Sequence, residues 1–390
     1  MIDWIVCGLM LALAGSLAGL VWVARRAITR AAVPSTDVPG HRVAVIVPVA
    51  GAGESMEASV LSLLRQIHPG SEVVFVLRDP LDPAAAVVQS AIRGQAAATC
   101  VFAGAATACG QKNHNLLAGV STVEGRADVL VFADARHLFP AGWLERLVAP
   151  IVGGDGEVTS GYHAVRPTNG GLVPWIYAVC VEMMHALQNA PGLSQPWGGA
   201  MAISRRAFER LKVADTWRIS VVDDVSLARV LRVHGVRVRT VPSVLLETSV
   251  ARLSLRDLLK WLVRQLQYVR FIMPGTWAVM GGWCLLQVVA FGAAAVLVMT
   301  CAVDLSPALL GAVSALYLAV LAVVLLELRL VHPLPCRPVR WLVAGMGFLV
   351  VVGVALAMAS LGREIRWRGI CYQVGDRGRV LAIRQTIVNG

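Results

Sequence analysis

Residues 129–140 read VLVFADARHLFP, and this stretch decides the predicted fold. Its opening residues are apolar at every position and rich in β-branched and aromatic types, which is typical of a strand covered on both faces in a mostly parallel sheet. Asp134 follows the strand and would lie at the carboxyl edge of the sheet, where open α/β sheets bind their ligands. Asp134 is therefore a candidate ligand for a metal ion and a diphosphate, or else a carboxylate that only caps a turn.

Short apolar runs alternate with helical periodicity on both sides of this strand, from Arg42 to about Val250. This alternation is typical of βα units. Further strands are predicted at Val43–Val47, Glu72–Leu77, Thr99–Ala103, Glu157–Val165, Ala200–Ser204 and Val236–Leu246. The sequence therefore predicts one α/β domain over residues 42–253, with a mostly parallel sheet flanked by helices.

The composition of the whole chain indicates a membrane protein with a soluble part. Apolar residues make up 57% of the 390 residues, and the mean hydropathy is +0.67. Residues 1–24 form a predicted transmembrane anchor, and positive charges follow it at Arg25, Arg26 and Arg30. By the positive-inside rule the amino end lies outside, so the domain that follows the basic linker 25–41 faces the cytoplasm.

The carboxy-terminal part contains a basic amphipathic helix, predicted over residues 254–275, which would lie along an anionic membrane surface. Three apolar segments follow within residues 276–361, and the last of them is Trp341–Leu361. If all three spanned the membrane, the tail 362–390 would lie outside, yet its six arginines favour the cytoplasm. We therefore expect Trp341–Leu361 to be re-entrant or to lie in the membrane interface.

The net charge of +11 suits a partner that is an anionic membrane surface or an anionic small substrate. A nucleic-acid partner is not expected, because the arginines mostly flank apolar segments instead of forming a stripe with aromatic residues. A transporter is disfavoured, because the apolar segments carry almost no ionisable residue. The eight cysteines show no metal-ligand or disulfide spacing, which predicts reduced thiols.

Carboxylates end two predicted strands and begin one predicted helix, at Asp79, Asp134 and Asp224. Transfer of a sugar from a nucleotide requires a hard cation for the diphosphate and a base for the attacking hydroxyl. Each carboxylate alone is equally compatible with capping of a turn or a helix. Their combination at the edge of one sheet, beside a membrane anchor, favours the functional interpretation.

The sequence resembles the membrane-bound GT-A glycosyltransferases of the ceramide glucosyltransferase type, which include bacterial members associated with hopanoid lipids. The resemblance runs from about Val43 to Pro274, and four stretches carry it: VLRDPLDPA (76–84), GQKNHNL (110–116), FADARHLFP (132–140) and VVDDVSLARVLRVHG (221–235). It implies a GT-A fold for residues 42–253 and donor-site roles for Asp79, Lys112 and Asn115.

The resemblance also implies which residues act on the acceptor. Asp224 would be the catalytic base, with Asp223 beside it. His185 would lie on the acceptor side of the pocket, although a buried histidine on a helix is more often structural. Trp197 precedes two glycines and could form an acceptor-facing wall or a tight turn beside a core aromatic.

Two motifs depart from the family pattern. Arg136 replaces the second carboxylate of the Asp-X-Asp motif, so Asp134 alone would hold Mg²⁺ or Mn²⁺. Arg136 would either offset phosphate charge directly or be a solvated surface residue. In the last motif Gln267 and Tyr268 replace Arg and Trp, and Arg264 would supply the missing charge on the donor diphosphate. A shifted alignment, QYVRF at 267–271, would use Arg270 instead.

Together with this resemblance, which alone implies inversion, the sequence predicts an inverting glycosyltransferase that moves a sugar, expected from the resemblance to be glucose, from a UDP-sugar to the hydroxyl of a lipid. It would be an integral protein of the bacterial inner membrane, with the catalytic domain facing the cytoplasm. The acceptor could instead be a hopanoid or a polyprenyl phosphate. A non-catalytic membrane protein that binds nucleotide or lipid is the alternative from another class.

Overall fold

The computed structural model describes residues 2–33, 41–53, 55–301 and 308–385. Five parts of the predicted organisation lie outside the described residues. They are residue 1 of the anchor, 34–40 of the basic linker, residue 54 of the α/β domain, 302–307 between the first two carboxy-terminal apolar segments, and the last five residues of the tail.

Seven strands form one mostly parallel sheet, which confirms the predicted fold class. They are β1 Val43–Pro48, β2 Ser71–Leu77, β3 Ala98–Phe102, β4 Val129–Ala133, β5 Val158–Pro167, β6 Ala200–Ser204 and β7 Val238–Val250, in the spatial order β3-β2-β1-β4-β6-β5-β7. Only β6 in this sheet runs antiparallel to its two neighbours. Every residue of β4 is buried, as expected for a strand with apolar residues on both faces.

Helices cover both faces of the sheet. One face packs against α2 Met56–Leu64, α3 Ala84–Ala91 and α5 Trp143–Val152, and the other against α4 Gln111–Thr122, α7 Arg205–Arg210, α8 Val213–Trp217 and α9 Asp224–Val233. Gly119 brings α4 close to the sheet, because a Cβ there would lie 2.5 Å from Cγ2 of Ile46. Helix α5 was not predicted from the sequence.

In the part of the chain that the structure describes, four helices are long and apolar enough to span a membrane: α1 Ile2–Arg30, α11 Pro274–Cys301, α12 Ala308–Val331 and α13 Pro338–Leu361. They pack with α6 Leu172–Asn189 and with α10 Leu255–Ile272 around a second apolar core. An ion pair between Arg25 and Glu327 links α1 to the end of α12. The predicted basic amphipathic helix corresponds to α10.

The tail forms a small antiparallel sheet, which the sequence analysis did not predict. Its strands are β8 Glu364–Trp367, β9 Ile370–Val374 and β10 Val380–Gln385. The tail packs on the α/β domain, since the Val221 N–H donates to the Gly378 carbonyl at 3.0 Å and the Val380 N–H donates to the Ile219 carbonyl at 2.8 Å. The tail therefore lies beside the start of α9.

Candidate active site

A cavity of about 2000 Å³ opens at the carboxyl edge of β1, β2 and β4 and extends between α6, α10, α11, α12 and α13. Polar and charged residues line it at the sheet edge, among them Asp79, Lys112, Asp134 and Asp224. Apolar residues of the long helices line its other end. Three carboxylates predicted from separate stretches of sequence thus face one space.

Lys112 is the centre of the charged cluster. It lies in the first turn of α4, and its Nζ is 2.9 Å from Oδ1 of Asp134, 3.0 Å from Oδ2 of Asp223 and 3.1 Å from the Gly198 carbonyl oxygen. Burial lowers the pKa of Lys112, but the charges of Asp134, Asp223 and Asp224 outweigh it, so the net pKa is raised. The ammonium group therefore stays charged and joins β4 to α9.

Asp224 has the environment of a general base. It is the first residue of α9, where the Val225 N–H donates to Oδ1 at 2.7 Å and the Gly198 N–H donates to Oδ2 at 3.1 Å. Burial, and then the neighbouring charge of Asp223, raise the pKa of Asp224 to about 6. A carboxylate with a pKa close to neutrality is matched to proton abstraction.

Asp223 and the two glycines before β6 support this arrangement. Asp223 is completely buried, so its role in the cluster is to hold Lys112. A Cβ at Gly198 would lie 2.3 Å from Oδ2 of Asp223 and 2.8 Å from Nζ of Lys112. A Cβ at Gly199 would lie 2.2 Å from the Trp197 ring. Only glycine allows the backbone to pass this close to the charged cluster and the indole.

Trp197 belongs to a wall of aromatic rings in the cavity. Its indole stacks on the His163 ring at 4.7 Å and 8°, and lies 5.0 Å from Tyr162 and 5.2 Å from His137. The Thr248 hydroxyl lies 2.7 Å from Nδ1 of His163 and 2.8 Å from Nδ1 of His137. Burial lowers the pKa of His137 to about 4 and the pKa of His163 well below its usual value, so both rings are neutral near pH 7.

The neutral histidines of this wall were not singled out from the sequence. His137 stands within the quoted stretch VLVFADARHLFP, three residues after Asp134, and position alone could have raised it as a candidate. His163 gave no local signal, because it lies inside a strand that reads as core.

Several predicted donor-site residues line the cavity as well. They are Asp79, Asn115, Arg136, Arg264 and Tyr268. Asp79 also accepts the Leu81 N–H at 3.0 Å, so it caps a turn while it faces the cavity. The Asn115 amide donates to the Val76 carbonyl and accepts from Gln111, which fixes its orientation.

Gln267 and His185 are not among the lining residues. The buried Gln267 amide packs against Gly362. His185 is buried behind Tyr162, with the rings stacked at 5.6 Å, and its Nδ1 lies 3.0 Å from Oε1 of Glu182. The cavity therefore does not reach either of these predicted residues.

Arg270, the residue of the shifted alignment, also points elsewhere. Its guanidinium donates to the carbonyls of Ala359 and Gly362, at 2.7 Å and 2.6 Å. It thus attaches the end of α10 to the end of α13.

The residues present fit a divalent cation only in combination with a substrate. Within the described ranges no group of three or more His, Cys, Asp or Glu side chains could hold a metal alone. Mg²⁺ commonly retains waters and binds through one or two carboxylates together with substrate phosphates. Asp134 could serve, because it keeps a partly exposed side chain although its Oδ1 also pairs with Lys112, whereas Asp223 is fully buried against the same ammonium.

Comparison with solved structures identifies a protein of similar fold and further, weaker matches. The mannosyltransferase PcManGT from Pyrobaculum calidifontis, solved with GDP-Man and Mn²⁺, is 18% identical over 91% of this chain and 99% of its own, with a TM-score of 0.51. Glucosyl-3-phosphoglycerate synthase from Mycobacterium tuberculosis is 17% identical over 57% of this chain and 75% of its own, with a TM-score of 0.38. No curated protein matches the chain in sequence.

The sequence profile of Glycosyl transferase family 21 matches residues 7–380, nearly the whole chain. The match includes the anchor, the carboxylate cluster, the long apolar helices and most of the tail. The chain therefore belongs to Glycosyl transferase family 21, the ceramide glucosyltransferase family, and is a glycosyltransferase.

Proposed function

We propose that this protein transfers a sugar from a UDP-sugar, with glucose as the expected sugar, to a hydroxyl group of a membrane lipid. One observation carries the proposal: a single cavity joins the cluster of Lys112, Asp134 and Asp224 to an apolar chamber among the long helices. A water-soluble acceptor has no apolar part to fill such a chamber, whereas a lipid has an apolar tail whose removal from water is favourable.

The apolar chamber supports a lipid acceptor because long apolar helices supply its wall. Its lining includes Trp283 of α11, Leu321 of α12, and Phe348 and Val352 of α13. An acceptor whose tail lies among these side chains would present its hydroxyl toward the aromatic wall around Trp197. The same wall offers ring faces on which a sugar or an apolar headgroup can pack.

In the proposed reaction, the lipid hydroxyl oxygen attacks the anomeric carbon from the face opposite the leaving UDP. Asp224 takes the hydroxyl proton as the new carbon–oxygen bond forms and the bond to the diphosphate oxygen breaks. The two backbone N–H groups that hold the Asp224 carboxylate fix its direction. Inversion at the anomeric carbon follows from this single displacement, and NMR of the product's anomeric configuration tests it.

The donor would bind at the sheet edge. Asp79, Lys112 and Asn115 line that end of the cavity, and Arg136 and Arg264 bring positive charge to it. Asp134 would hold a Mg²⁺ or Mn²⁺ ion, an assignment supported by the Mn²⁺ in the solved mannosyltransferase of similar fold. The chemistry that such an ion supplies is neutralisation of the charge that develops on the leaving diphosphate.

We propose that α1, α11 and α12 span the membrane, that α13 does not, and that the catalytic domain and the tail both face the cytoplasm. The contacts at the two ends of α13 support this arrangement. At its start the Trp341 indole N–H donates to the Leu325 carbonyl of α12 at 2.8 Å, and at its end Arg270 of α10 bonds its last carbonyls.

The tail that follows α13 pairs with the catalytic domain, which requires both to lie on one side of the membrane. The arginines after α1 favour the cytoplasmic side. A tag on the tail should be protected from membrane-impermeant reagents in sealed vesicles of native orientation. Labelling of the tag from outside would contradict the proposed topology.

The test of the function is incubation of membranes containing the protein with a panel of labelled UDP-sugars and a lipid extract. We expect one labelled lipid, identified by mass spectrometry, in which the sugar is attached to a hydroxyl. Attachment to a hopanoid or a polyprenyl phosphate would change the acceptor class and keep the transferase. Binding of UDP-sugar without any transfer would contradict catalysis and favour a non-catalytic binding protein.

A further inference from the structure

The tail hairpin ends in a turn whose sequence is unfavourable for its backbone. Strands β8 and β9 pair Trp367 with Ile370, which leaves a two-residue turn of Arg368 and Gly369. Both residues have positive φ, +48° and +73°, as in type I′ hairpin turns. Glycine and asparagine suit the first position, whereas arginine is strained there. Strain of this kind points to a role for the side chain.

The Arg368 side chain reaches the donor end of the cavity. It lines the cavity together with Trp367, over the loop that follows β1. Its Nη1 lies 2.7 Å from the position that a Cβ on Gly51 would occupy. The Gly51 N–H donates to Oδ1 of Asp82 at 2.8 Å, so this loop is held in place beneath the guanidinium.

Three guanidinium groups converge here, and the carboxylates whose charges reach Arg368, Asp82 and Asp134, offset the positive charge only in part. Arg136, Arg264 and Arg368 all line the cavity, and within the described ranges none forms an ion pair or a side-chain hydrogen bond. Burial, followed by the charge of Arg136, lowers the pKa of Arg368 to about 10, so it still carries a proton near pH 7. Cations that share a cavity and are only partly balanced by protein carboxylates favour a ligand with several negative charges.

Backbone hydrogen bonds fix the hairpin relative to the catalytic cluster. The Gln111 N–H, one residue before Lys112, donates to the Tyr372 hydroxyl at 3.1 Å. The Val221 N–H, three residues before Asp224, donates to the Gly378 carbonyl. The position of Arg368 is therefore tied to the two helix starts that carry the base and the lysine.

We propose that Arg368 binds the diphosphate of the nucleotide sugar, so that the carboxy-terminal tail completes the donor site. This inference rests on the proposed function, because it assumes a nucleoside diphosphate donor. The fork of a guanidinium suits phosphate oxygens, and together the three arginines can spread their charge over both phosphates. On this proposal, the strained turn holds Arg368 because the turn places the guanidinium over Gly51, where it can bind the diphosphate.

The test uses the purified full chain in lipid nanodiscs, titrated calorimetrically with UDP and with uridine. Arg368→Gly should weaken UDP binding about tenfold or more, because a charge-assisted hydrogen bond is lost, and should leave uridine binding unchanged. It should also raise the melting temperature, because glycine accepts positive φ. Arg366→Ala is the matched control, since Arg366 lies exposed in the same hairpin and pairs with Glu364; it should change neither affinity.

Three results would overturn the proposal. The first is an unchanged UDP affinity in Arg368→Gly, which leaves the proposed function intact. The second is an equal loss of UDP and uridine affinity together with a lower melting temperature, which would make Arg368 a structural residue. The third is a wild-type protein that does not bind UDP, which would also remove the UDP-sugar donor from the proposed function.

Discussion

Replacement of Lys112 by methionine should destabilise the protein strongly, because it leaves a buried carboxylate without a partner. Asp223 is 0% exposed, and the Lys112 ammonium, 3.0 Å away, is the cation that balances it. Methionine has a similar length but no charge, so the loss is electrostatic rather than a loss of volume. Asp134 contributes less to the effect, because 37% of its side chain is exposed and water can replace the ion pair.

The expected loss follows from the burial of Asp223. Removal of one partner of a buried ion pair costs about 3–5 kcal/mol. A domain of 150–250 residues loses about 2–4 °C in melting temperature per kcal/mol, which gives a decrease of roughly 6–20 °C. The double variant Lys112→Met with Asp223→Asn should recover more than half of this, because it removes the fully buried charge at position 223.

Thermal unfolding of the four proteins of this cycle in the same detergent is the assay. A decrease of less than about 2 °C for Lys112→Met would refute the reasoning, because it would mean that Asp223 is not an unpaired anion in the variant. An additive double variant would refute the pairing itself. The cycle needs no substrate, so it tests the charged cluster independently of the proposed reaction.

Two further predictions concern the base and the glycine beside it. Asp224 must be ionised to accept a proton, and its pKa is raised to about 6, so kcat/KM should fall as the pH decreases through about 6. Lys112→Met should move this fall in kcat/KM to higher pH, because the charge of Lys112 lowers the pKa of Asp224. A kcat/KM that stays constant from pH 5 to 8 would contradict the assignment. Gly198→Ala should reduce transfer at least tenfold, because its Cβ would meet Oδ2 of Asp223 at 2.3 Å. The matched control is Gly170→Ala, which lies outside the cavity and meets nothing within 4 Å, and it should retain wild-type activity in the same assay.

Local signals in the sequence predicted the sheet and the acids at its edge. β4 could be predicted because its five residues, all buried, are all apolar and form a continuous run in the sequence that ends just before Asp134. Asp224 could be proposed because α9 begins with a carboxylate and has helical periodicity after it. Their proximity to Lys112 was expected only from the resemblance, since no local pattern reports a distance between separate segments.

The contribution of the tail could not be predicted in this way. A basic segment after an apolar helix looks like a membrane-surface tail, and the pairing of the tail with Ile219–Val221 depends on segments more than 150 residues apart. The six arginines of the tail led only to a proposal for its side of the membrane. They gave no indication that one of them, Arg368, stands at the tip of a hairpin in the cavity.

Gln267 illustrates the limit of alignment to a motif. Arg264 and Tyr268 are four residues apart on α10, so they share a helix face and both line the cavity. Gln267 packs against Gly362 after α13 instead. The motif position alone does not tell which face of α10 turns toward the cavity, because that depends on the packing of α10 against α13.

The most direct test of the central claim compares wild-type protein with Asp224→Asn, in the presence of labelled UDP-sugar and lipid acceptor. Asparagine keeps the size of the side chain and removes its ability to take a proton. We predict that the variant binds UDP-sugar with nearly wild-type affinity but forms no labelled lipid above background, whereas the wild-type protein does. Wild-type rates of lipid labelling in Asp224→Asn would contradict the proposal that Asp224 is the base.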